Sequence, residues 1–432
     1  MSQSSASSVH PHVAHAQSLG RFIDRSPSPF HVVESARQML LDANFTEIDT
    51  NQSVALESGP RFVVRDGSLV AWIVPESASP TTPFRIAGAH TDSPNLRLKP
   101  EPNADAVGYR RLGVEVYGGV LLNSWLDRDL GLSGRVAVRT ATGTATALVF
   151  VDRPVFRIPQ LAIHLDRDIS ERGLSLNKQQ HLSPIYGLSG GELDVWDLIA
   201  ESAEVSRDDI VGAELMLHDT MQSQLLGADH DFISAPRLDN QLSCHAAITA
   251  LAGTTPSETI PMVTLFDHEE VGSVSATGAA TSQMPRLLDE ISSALGATDA
   301  DRRIARENSL FISADNAHAT HPNYPERHDP GHQISMNAGP VLKHNANQRY
   351  TTDAVSAGLF HLAAEHAGVS TQAFVSRSDM PCGSTIGPTV SALLGMRALD
   401  VGCAQLAMHS CREVAGSNDP WDMTLLLAEL LH

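Results

Sequence analysis

Three apolar runs in this sequence each end in a cluster of acidic and histidine side chains. Near-continuous apolar runs of this length are typical of strands that are covered on both faces of a sheet. In open α/β sheets, ligand sites gather beyond the carboxyl ends of the strands. Clusters that are far apart in sequence are therefore predicted to converge on one crevice. The clusters are His90-Thr-Asp92, Asp267-His-Glu-Glu270 and Asp315-Asn-Ala-His318.

Adjacent glutamates, Glu269 and Glu270, follow the run from Ile260 to Phe266. Adjacent acids commonly form a solvated loop pair, but the buried-looking strand before them argues against that interpretation. Burying carboxylates costs several kcal/mol unless a cation meets them. The sequence therefore predicts a cationic partner, and we interpret it as a pair of metal ions.

The composition limits the classes of partner. At 432 residues the chain is long enough for two domains, and its net charge of −20 disfavours nucleic acid and anionic membranes as partners. No apolar run approaches the ~20 residues that span a bilayer. The N-terminus lacks the apolar segment of a secretory signal, and the four cysteines form no CxxC pair. These features predict reduced thiols and a cytoplasmic location.

The pattern of predicted secondary structure changes twice along the chain. Residues 16–43 have helical spacing broken at Ser26-Pro-Ser-Pro, and a hairpin is predicted around Asp66-Gly67. Residues 95–233 show short alternating runs and Gly-rich turns, which indicate β-structure without a strand–helix rhythm. We predict a flexible N-terminal arm (1–15), an α/β domain (16–94 and 234–432) and an inserted β-rich domain (95–233).

Five side chains are candidate metal ligands. His and carboxylate ligands without Cys suit Zn²⁺ in a catalytic site, with Co²⁺ or Mn²⁺ as alternatives. Five ligands serve two ions if one carboxylate bridges them, and we assign the bridge to Asp239. From the sequence alone, Asp239 could equally complement the N-terminus of its predicted helix. The five are His90, Asp239, Glu270, Asp315 and His409.

Two further acids have predicted roles beside the ligands. Asp92 lies two residues after His90 and is expected to accept the other imidazole N–H. Because neighbouring side chains of an extended chain point in opposite directions, Glu270 can bind metal while Glu269 acts as a general base. His268 and His318 are interpreted as supporting residues, and Cys382 as a small buried residue and not a nucleophile.

The motif series resembles that of the aspartyl aminopeptidase family of co-catalytic di-zinc metallopeptidases. The motifs occur in the family's order from His90 to His409, with a small departure at Asn95 after the first. The series is HTDSP, APRLDN, DHEEVGS, SADNAHATHP, NQRYTTD, PCGSTIGP and AMHS.

The resemblance implies a mixed-sheet α/β metallopeptidase domain with an inserted β-rich dimerisation domain, dimers assembling into a dodecamer, and removal of N-terminal Asp or Glu from peptides. The family's ligands fall on the five residues named above, its base on Glu269 and its His-orienting acid on Asp92. His164 resembles a residue that enters the active site of a neighbouring subunit. Lys343 and Tyr350 match residues that receive the acidic side chain of the substrate.

Two other interpretations share parts of this pattern. A di-zinc carboxypeptidase or amidohydrolase would have a related ligand set. A metal-stabilised oligomeric scaffold with a degenerate site belongs to a different class, and the intact Glu269 argues against it.

Overall fold

The computed structural model describes residues 11–49, 59–256 and 258–432. The helices are α1 Pro11–Arg25, α2 Pro29–Asp42, α3 Ile169–Arg172, α4 Val195–Ser202, α5 Leu238–Gly253, α6 Gln283–Ala294, α7 Asp299–Glu307, α8 Ala354–Ala367, α9 Ile386–Leu394 and α10 Asp419–Leu431. The strands are β1 Thr46–Glu47, β2 Gly59–Arg65, β3 Ser68–Val74, β4 Phe84–His90, β5 Asn95–Asn103, β6 Tyr109–Tyr117, β7 Leu130–Thr140, β8 Gly143–Phe156, β9 Ile185–Leu188, β10 Ile210–Asp219, β11 Gln224–Leu226, β12 Phe232–Ala235, β13 Ile260–Phe266, β14 Leu310–Ala314, β15 Ala317–His318, β16 Val341–His344, β17 Gln372–Val375, β18 Arg397–Gly402, β19 Ala404–Leu406 and β20 Glu413–Gly416.

A nine-stranded mixed sheet with the order β1-β2-β3-β13-β4-β14-β18-β16-β17 forms the centre of the α/β part. Strands β13, β4, β14 and β18 are parallel neighbours. At the two sides of this group, β3 pairs antiparallel with β13, and β16 pairs antiparallel with β18. The register sets His90 opposite Phe266. The carboxyl ends of β4, β13 and β14 therefore lie side by side, as the strand-end clusters predicted.

Helices cover both faces of this sheet. Alternating side chains of β13 face opposite ways: Val263 and Leu265 pack into one core, and Met262 and Phe266 into another. The first core is completed by α1, α2, α5, α8 and α10, and the second by α6 and α9. Coverage on both faces explains why the central strands read as continuous apolar runs.

A six-stranded antiparallel sheet, β8-β7-β10-β5-β6-β9, has all its strands between residues 95 and 219. It has its own apolar core, in which Leu132, Val149 and Phe156 are buried with Ile199 of α4. Strand β11, which also falls within 95–233, pairs instead with β12. Both belong to a five-stranded sheet of order β11-β12-β20-β19-β15.

Helix α1 corrects the predicted N-terminal arm for residues 11–15. The helix begins at Pro11, and His15 is buried with its Nε2 3.0 Å from Thr424 Oγ1. The prediction of a flexible arm is therefore wrong for these five residues, because tertiary contacts order a segment whose Ser/His-rich sequence has no clear apolar pattern. Residues 1–10 of the predicted arm lie outside the described residues.

Candidate metal centre

The predicted ligands come from three strand ends and two connections. His90 is the last residue of β4, Asp315 directly follows β14, and Glu270 lies in the turn after β13. Asp239 follows β12 at the start of α5, where its backbone angles are not helical, and His409 lies between β19 and β20. The five-stranded sheet thus carries the two ligands that do not come from the central sheet.

Asp239 lies between the two imidazoles. Its Oδ1 is 3.5 Å from His90 Nε2, and its Oδ2 is 3.3 Å from His409 Nε2. Each carboxylate oxygen therefore faces a different histidine. This is the geometry expected of a bridging carboxylate, and it favours that role over a simple complement to the helix N-terminus.

The remaining two carboxylates divide between the imidazoles. Asp315 Oδ1 is 3.9 Å from His90 Nε2, whereas Glu270 Oε1 is 3.4 Å from His409 Nε2. Two trios result, each with one imidazole nitrogen, one terminal carboxylate and one oxygen of Asp239. We name these five residues the strand-end cluster.

The donor set fits divalent cations. His90 from the first trio and Glu270 from the second each offer a ligand atom within 4.8 Å of the other and of an Asp239 oxygen, so the two trios adjoin. Asp239 Oδ1 and Glu270 Oε1 are buried, and no hydrogen-bond donor satisfies either of them in the described part of the chain. Buried carboxylates without donors are costly unless a cation meets them. Imidazole and carboxylate ligands without thiolate are those of catalytic zinc sites.

The electrostatics of the cluster favour positive charge. Burial lowers the pKa of His409, but its contacts with Asp239 and Glu270 outweigh burial and raise it to about 10. Burial raises the pKa of Glu270, and the neighbouring Asp239 raises it further. The clustered carboxylates thus favour bound protons at this site. A divalent cation would be stabilised by the same negative charges.

Asp92 supports this cluster in two ways. His90 Nδ1 lies 2.9 Å from the backbone oxygen of Asp92 and 3.5 Å from its Oδ1, so an Nδ1–H can donate to that carbonyl and leave Nε2 facing Asp239. The Asp92 carboxylate also accepts the backbone N–H groups of Glu269 at 3.0 Å and Glu270 at 3.1 Å. Asp92 therefore lies beside His90, where it was expected to accept the imidazole N–H, and its main-chain oxygen is a nearer acceptor than its carboxylate.

Glu413 is a supporting residue that the sequence reasoning missed. This buried carboxylate accepts the backbone N–H of Asp239 at 2.9 Å and that of His409 at 2.6 Å. It therefore holds the main chain of two cluster residues, as Asp92 does for the adjacent glutamates. Its signal in the sequence is weak, because it is a single acidic residue, four positions after His409, at the start of the short strand β20.

Glu269 lies beside the cluster without a fixed partner. Its side chain forms no hydrogen bond or ion pair with any residue described by the structure, and burial raises its pKa to about 7. A half-buried carboxylate with a pKa near neutrality can both accept and return a proton.

Lys343 and Tyr350 flank the cluster, whereas His164 does not. Both flanking residues are buried; the Lys343 Nζ lies 4.0 Å from Asp315 Oδ2 and 5.3 Å from the centre of the Tyr350 ring. His164 lies in an exposed turn, Ile163–Leu165, and the structure does not bring it to the cluster of its own chain.

Comparison with known proteins gives the family. A family profile described as aminopeptidase I zinc metalloprotease (M18) matches residues 22–430. The chain belongs to the M18 family of aminopeptidases. It is 47% identical over 414 residues to a probable M18 family aminopeptidase 2 of Streptomyces avermitilis, with 94% of this chain and 95% of that protein covered. A protein of the same description from Mycobacterium leprae is 47% identical over 409 residues, which cover 94% of this chain and 96% of that one.

Solved structures of M18 members share the fold. A chain of a structure described as the Ape4 and Nbr1 complex superposes with a TM-score of 0.94 at 36% identity, over 98% of this chain and 87% of that one. A structure described as prApe1 superposes with a TM-score of 0.92 at 29% identity, over 97% of this chain and 94% of that one. The chain is thus a metalloaminopeptidase of a zinc-dependent family with an α/β, mixed-sheet fold. Within the described ranges, none of the helices combines the length and apolar character that a membrane crossing requires.

Proposed function

We propose that this M18 aminopeptidase removes N-terminal aspartate, and also glutamate, from peptides. The observation that carries the substrate class is Lys343, a buried cation beside the strand-end cluster whose ammonium group lies over the Tyr350 ring. A chain of net charge −20 repels acidic peptides at long range. A local buried cation is the group that can reverse this repulsion and select a substrate carboxylate.

In this proposal the strand-end cluster would hold two divalent cations, Zn²⁺ before Co²⁺ or Mn²⁺. His90, Asp315 and one oxygen of Asp239 would hold the first, and His409, Glu270 and the other oxygen would hold the second. When bound, such ions supply Lewis-acid activation of a water and of the scissile carbonyl.

The protein's own groups orient the substrate and move the proton. Glu269 accepts the proton of the attacking water and returns it to the leaving amine, because its carboxylate is near the cluster and has no hydrogen-bond or ion-pair partner among the described residues. Lys343 and Tyr350 receive the acidic side chain, which fixes the N-terminal residue beside the cluster. Asp92 holds His90 and the backbone of both glutamates in place.

We further propose a homo-oligomeric, cytoplasmic enzyme in which residues 95–233 form an inserted dimerisation domain. A yeast Ape1 neighbour is described as a dodecamer; it matches with a TM-score of 0.84 at 29% identity. In such an assembly of dimers, the exposed His164 would enter the site of the adjacent subunit and hydrogen-bond the carbonyl oxygen as it gains charge. Its exposed position, without a hydrogen bond or ion pair to the strand-end cluster among the described residues, is consistent with this role.

Two other functions are distinguishable by experiment. A di-zinc carboxypeptidase or amidohydrolase would act on N-acetylated Asp-peptides, whereas an aminopeptidase needs the free amine. A catalytically degenerate scaffold would bind metal without turnover.

The decisive test is a panel of aminoacyl chromogenic substrates, assayed before chelation, after chelation and after metal add-back. We expect Asp and Glu substrates to be cleaved, chelation to abolish cleavage, and metal to restore it. Lys343→Met should remove most of the preference for Asp over Ala substrates while leaving slow Ala cleavage. Equal rates on Asp, Ala and Leu substrates with the parent enzyme would refute the acidic specificity.

A further inference from the structure

Three consecutive residues at the end of β6 each touch a different residue of the candidate site. They are Tyr117, Gly118 and Gly119, and we call them the Tyr-Gly-Gly segment. They belong to the six-stranded sheet and the turn that leaves it, not to the central sheet that carries His90.

Tyr117 reaches Asp92. Its hydroxyl donates to Asp92 Oδ2 at 2.6 Å, and both side chains are buried. The Arg97 guanidinium lies over the Tyr117 ring, 3.8 Å from its centre. Because Asp92 also holds His90 and the backbone of both glutamates, a change in its orientation would reach three residues of the site.

The two glycines reach the other half of the cluster. The carbonyl oxygen of Gly119 is 3.0 Å from His409 Nδ1. A carbonyl only accepts, so Nδ1 carries the proton and Nε2 is left to face Asp239 and Glu270. A Cβ on Gly118 would lie 3.1 Å from the Cβ of Glu270, and one on Gly119 would lie 3.1 Å from His409 Nδ1. A Cβ at either position would be closer than most Cβ contacts in proteins, so Glu270 or His409 would have to shift by a few tenths of an ångström. Gly118 also has a φ of 73°, which favours glycine there.

We infer that the Tyr-Gly-Gly segment is a positioning element of the metal site, through which the six-stranded sheet sets the orientation of both imidazoles. Tyr117 acts on His90 through Asp92, and Gly119 acts on His409 directly. Groups that orient metal-binding histidines contribute to metal affinity as well as to structure. This inference rests on the metal-ligand roles proposed above.

The consequence is a link between the two sheets. A displacement of the six-stranded sheet relative to the central sheet would turn both imidazoles and weaken metal binding. Contacts that fix the six-stranded sheet, including contacts with another subunit, would then strengthen it.

The test compares Tyr117→Phe and Gly119→Ala with controls on the same strand. Tyr109 is 45% exposed and its side chain has no hydrogen bond to the candidate site in the described residues, so Tyr109→Phe is the first control. The second is Gly113→Ala, because a Cβ at Gly113 would meet its nearest neighbour at an ordinary 3.5 Å. The full-length protein is used throughout, and zinc affinity is measured by competition with a chromogenic chelator, alongside the melting temperature and the split between kcat and KM.

We expect Tyr117→Phe and Gly119→Ala each to weaken zinc binding by about 10- to 100-fold. At limiting zinc, kcat should fall with little change in KM, and excess zinc should restore it; the controls should match the parent. Unchanged zinc affinity in a folded Tyr117→Phe protein would overturn the inference. If that variant does not fold, Gly119→Ala decides by the same criterion. Absence of zinc binding in the parent would instead overturn the proposed ligand roles, so the two failures are distinguishable.

Discussion

Among the described regions that bury histidines, two treat the imidazole in opposite ways. In the strand-end cluster, His90 and His409 face carboxylates, and the pKa of each is raised although burial opposes it. In the helical layer formed by α1, α2, α5 and α10, His15, His31 and His245 face hydroxyl groups and aromatic rings. There, burial lowers the pKa to about 4, about 4 and about 3, respectively.

The difference shows that partner chemistry, and not burial, separates the two kinds of histidine. His90 and His245 are both almost inaccessible to solvent. One has three carboxylates within 4 Å, and the other packs on His15 and Phe22 with Ser18 Oγ at 3.2 Å. The first arrangement attracts cations, whereas the second excludes them.

The largest effect is expected at Glu269, which belongs to the cluster region but not to its ligands. Glu269→Gln should lower kcat by about 10²- to 10⁴-fold, the range for loss of a general base, because the amide cannot accept a proton. Metal content should match the parent enzyme. Steady-state kinetics and elemental analysis check both, with exposed Glu365→Gln as the control. Substantial residual turnover would remove Glu269 as the base.

The next effect tests the comparison itself, by truncating one histidine of each kind. His90→Ala should lose at least one bound ion per chain and nearly all activity. His245→Ala should keep its metal and its activity at low temperature but unfold more readily, since it leaves a cavity between α1 and α5. Elemental analysis and thermal melts of the two variants check this. Equal metal contents would show that the two regions do not differ as described.

A smaller effect is expected from Glu413→Gln. The amide keeps one acceptor oxygen but turns an NH₂ group toward one of the two backbone N–H groups of Asp239 and His409. We expect zinc affinity to fall by about 10- to 100-fold without loss of the fold. Chelator competition measures it, and an affinity equal to that of the parent would exclude Glu413 as a supporting group.

The smallest expected effect is on the pH dependence of the free energy of unfolding. A histidine whose folded pKa lies below its unfolded value near 6.5 stays neutral in the fold, so the unfolded chain binds more protons between the two values. The contribution of the neutral, buried histidine to the free energy of unfolding is complete above about pH 6.5 and is lost as the pH falls toward 4. For a histidine whose pKa falls from 6.5 to about 4, this contribution to the free energy of unfolding is about 3 kcal/mol over the full pH range.

The measurement is the unfolding free energy of metal-free protein at pH 7 and pH 5, for the parent and His245→Phe. The variant carries no titratable group there, so its loss of stability between the two pH values should be smaller than that of the parent. Exposed His366→Gln is the control and should match the parent. A steeper loss in His245→Phe would contradict the assignment.

The elements that carry the cluster could be predicted because their signal is local. The runs that became β4, β13 and β14, the hairpin of β2 and β3, and the break between α1 and α2 are visible within a few residues each. Parallel pairing then brings three polar strand ends together. The structure places His90, Asp239, Glu270, Asp315 and His409 in one cluster, while their roles as ligands remain a proposal.

The supporting contacts could not be predicted, because they join distant positions through backbone groups. Glu413 contacts the N–H of a residue 174 positions away, and Gly119 offers a carbonyl that any residue would have. Nor could the twenty histidines be sorted by sequence. His15 lies in a Ser/His-rich stretch that predicts an arm, and only its contacts with Thr424 and Trp421 reveal it as part of the core.

The most direct test of the central claim is the metal stoichiometry of the full-length protein. Isothermal titration of metal-free protein with zinc, together with elemental analysis of the loaded form, should give two ions per chain. Asp239→Asn should bind both more weakly, because its carboxylate faces both imidazoles. A single ion per chain, or an Asp239→Asn protein that binds two ions as tightly as the parent, would contradict the bridged two-metal site.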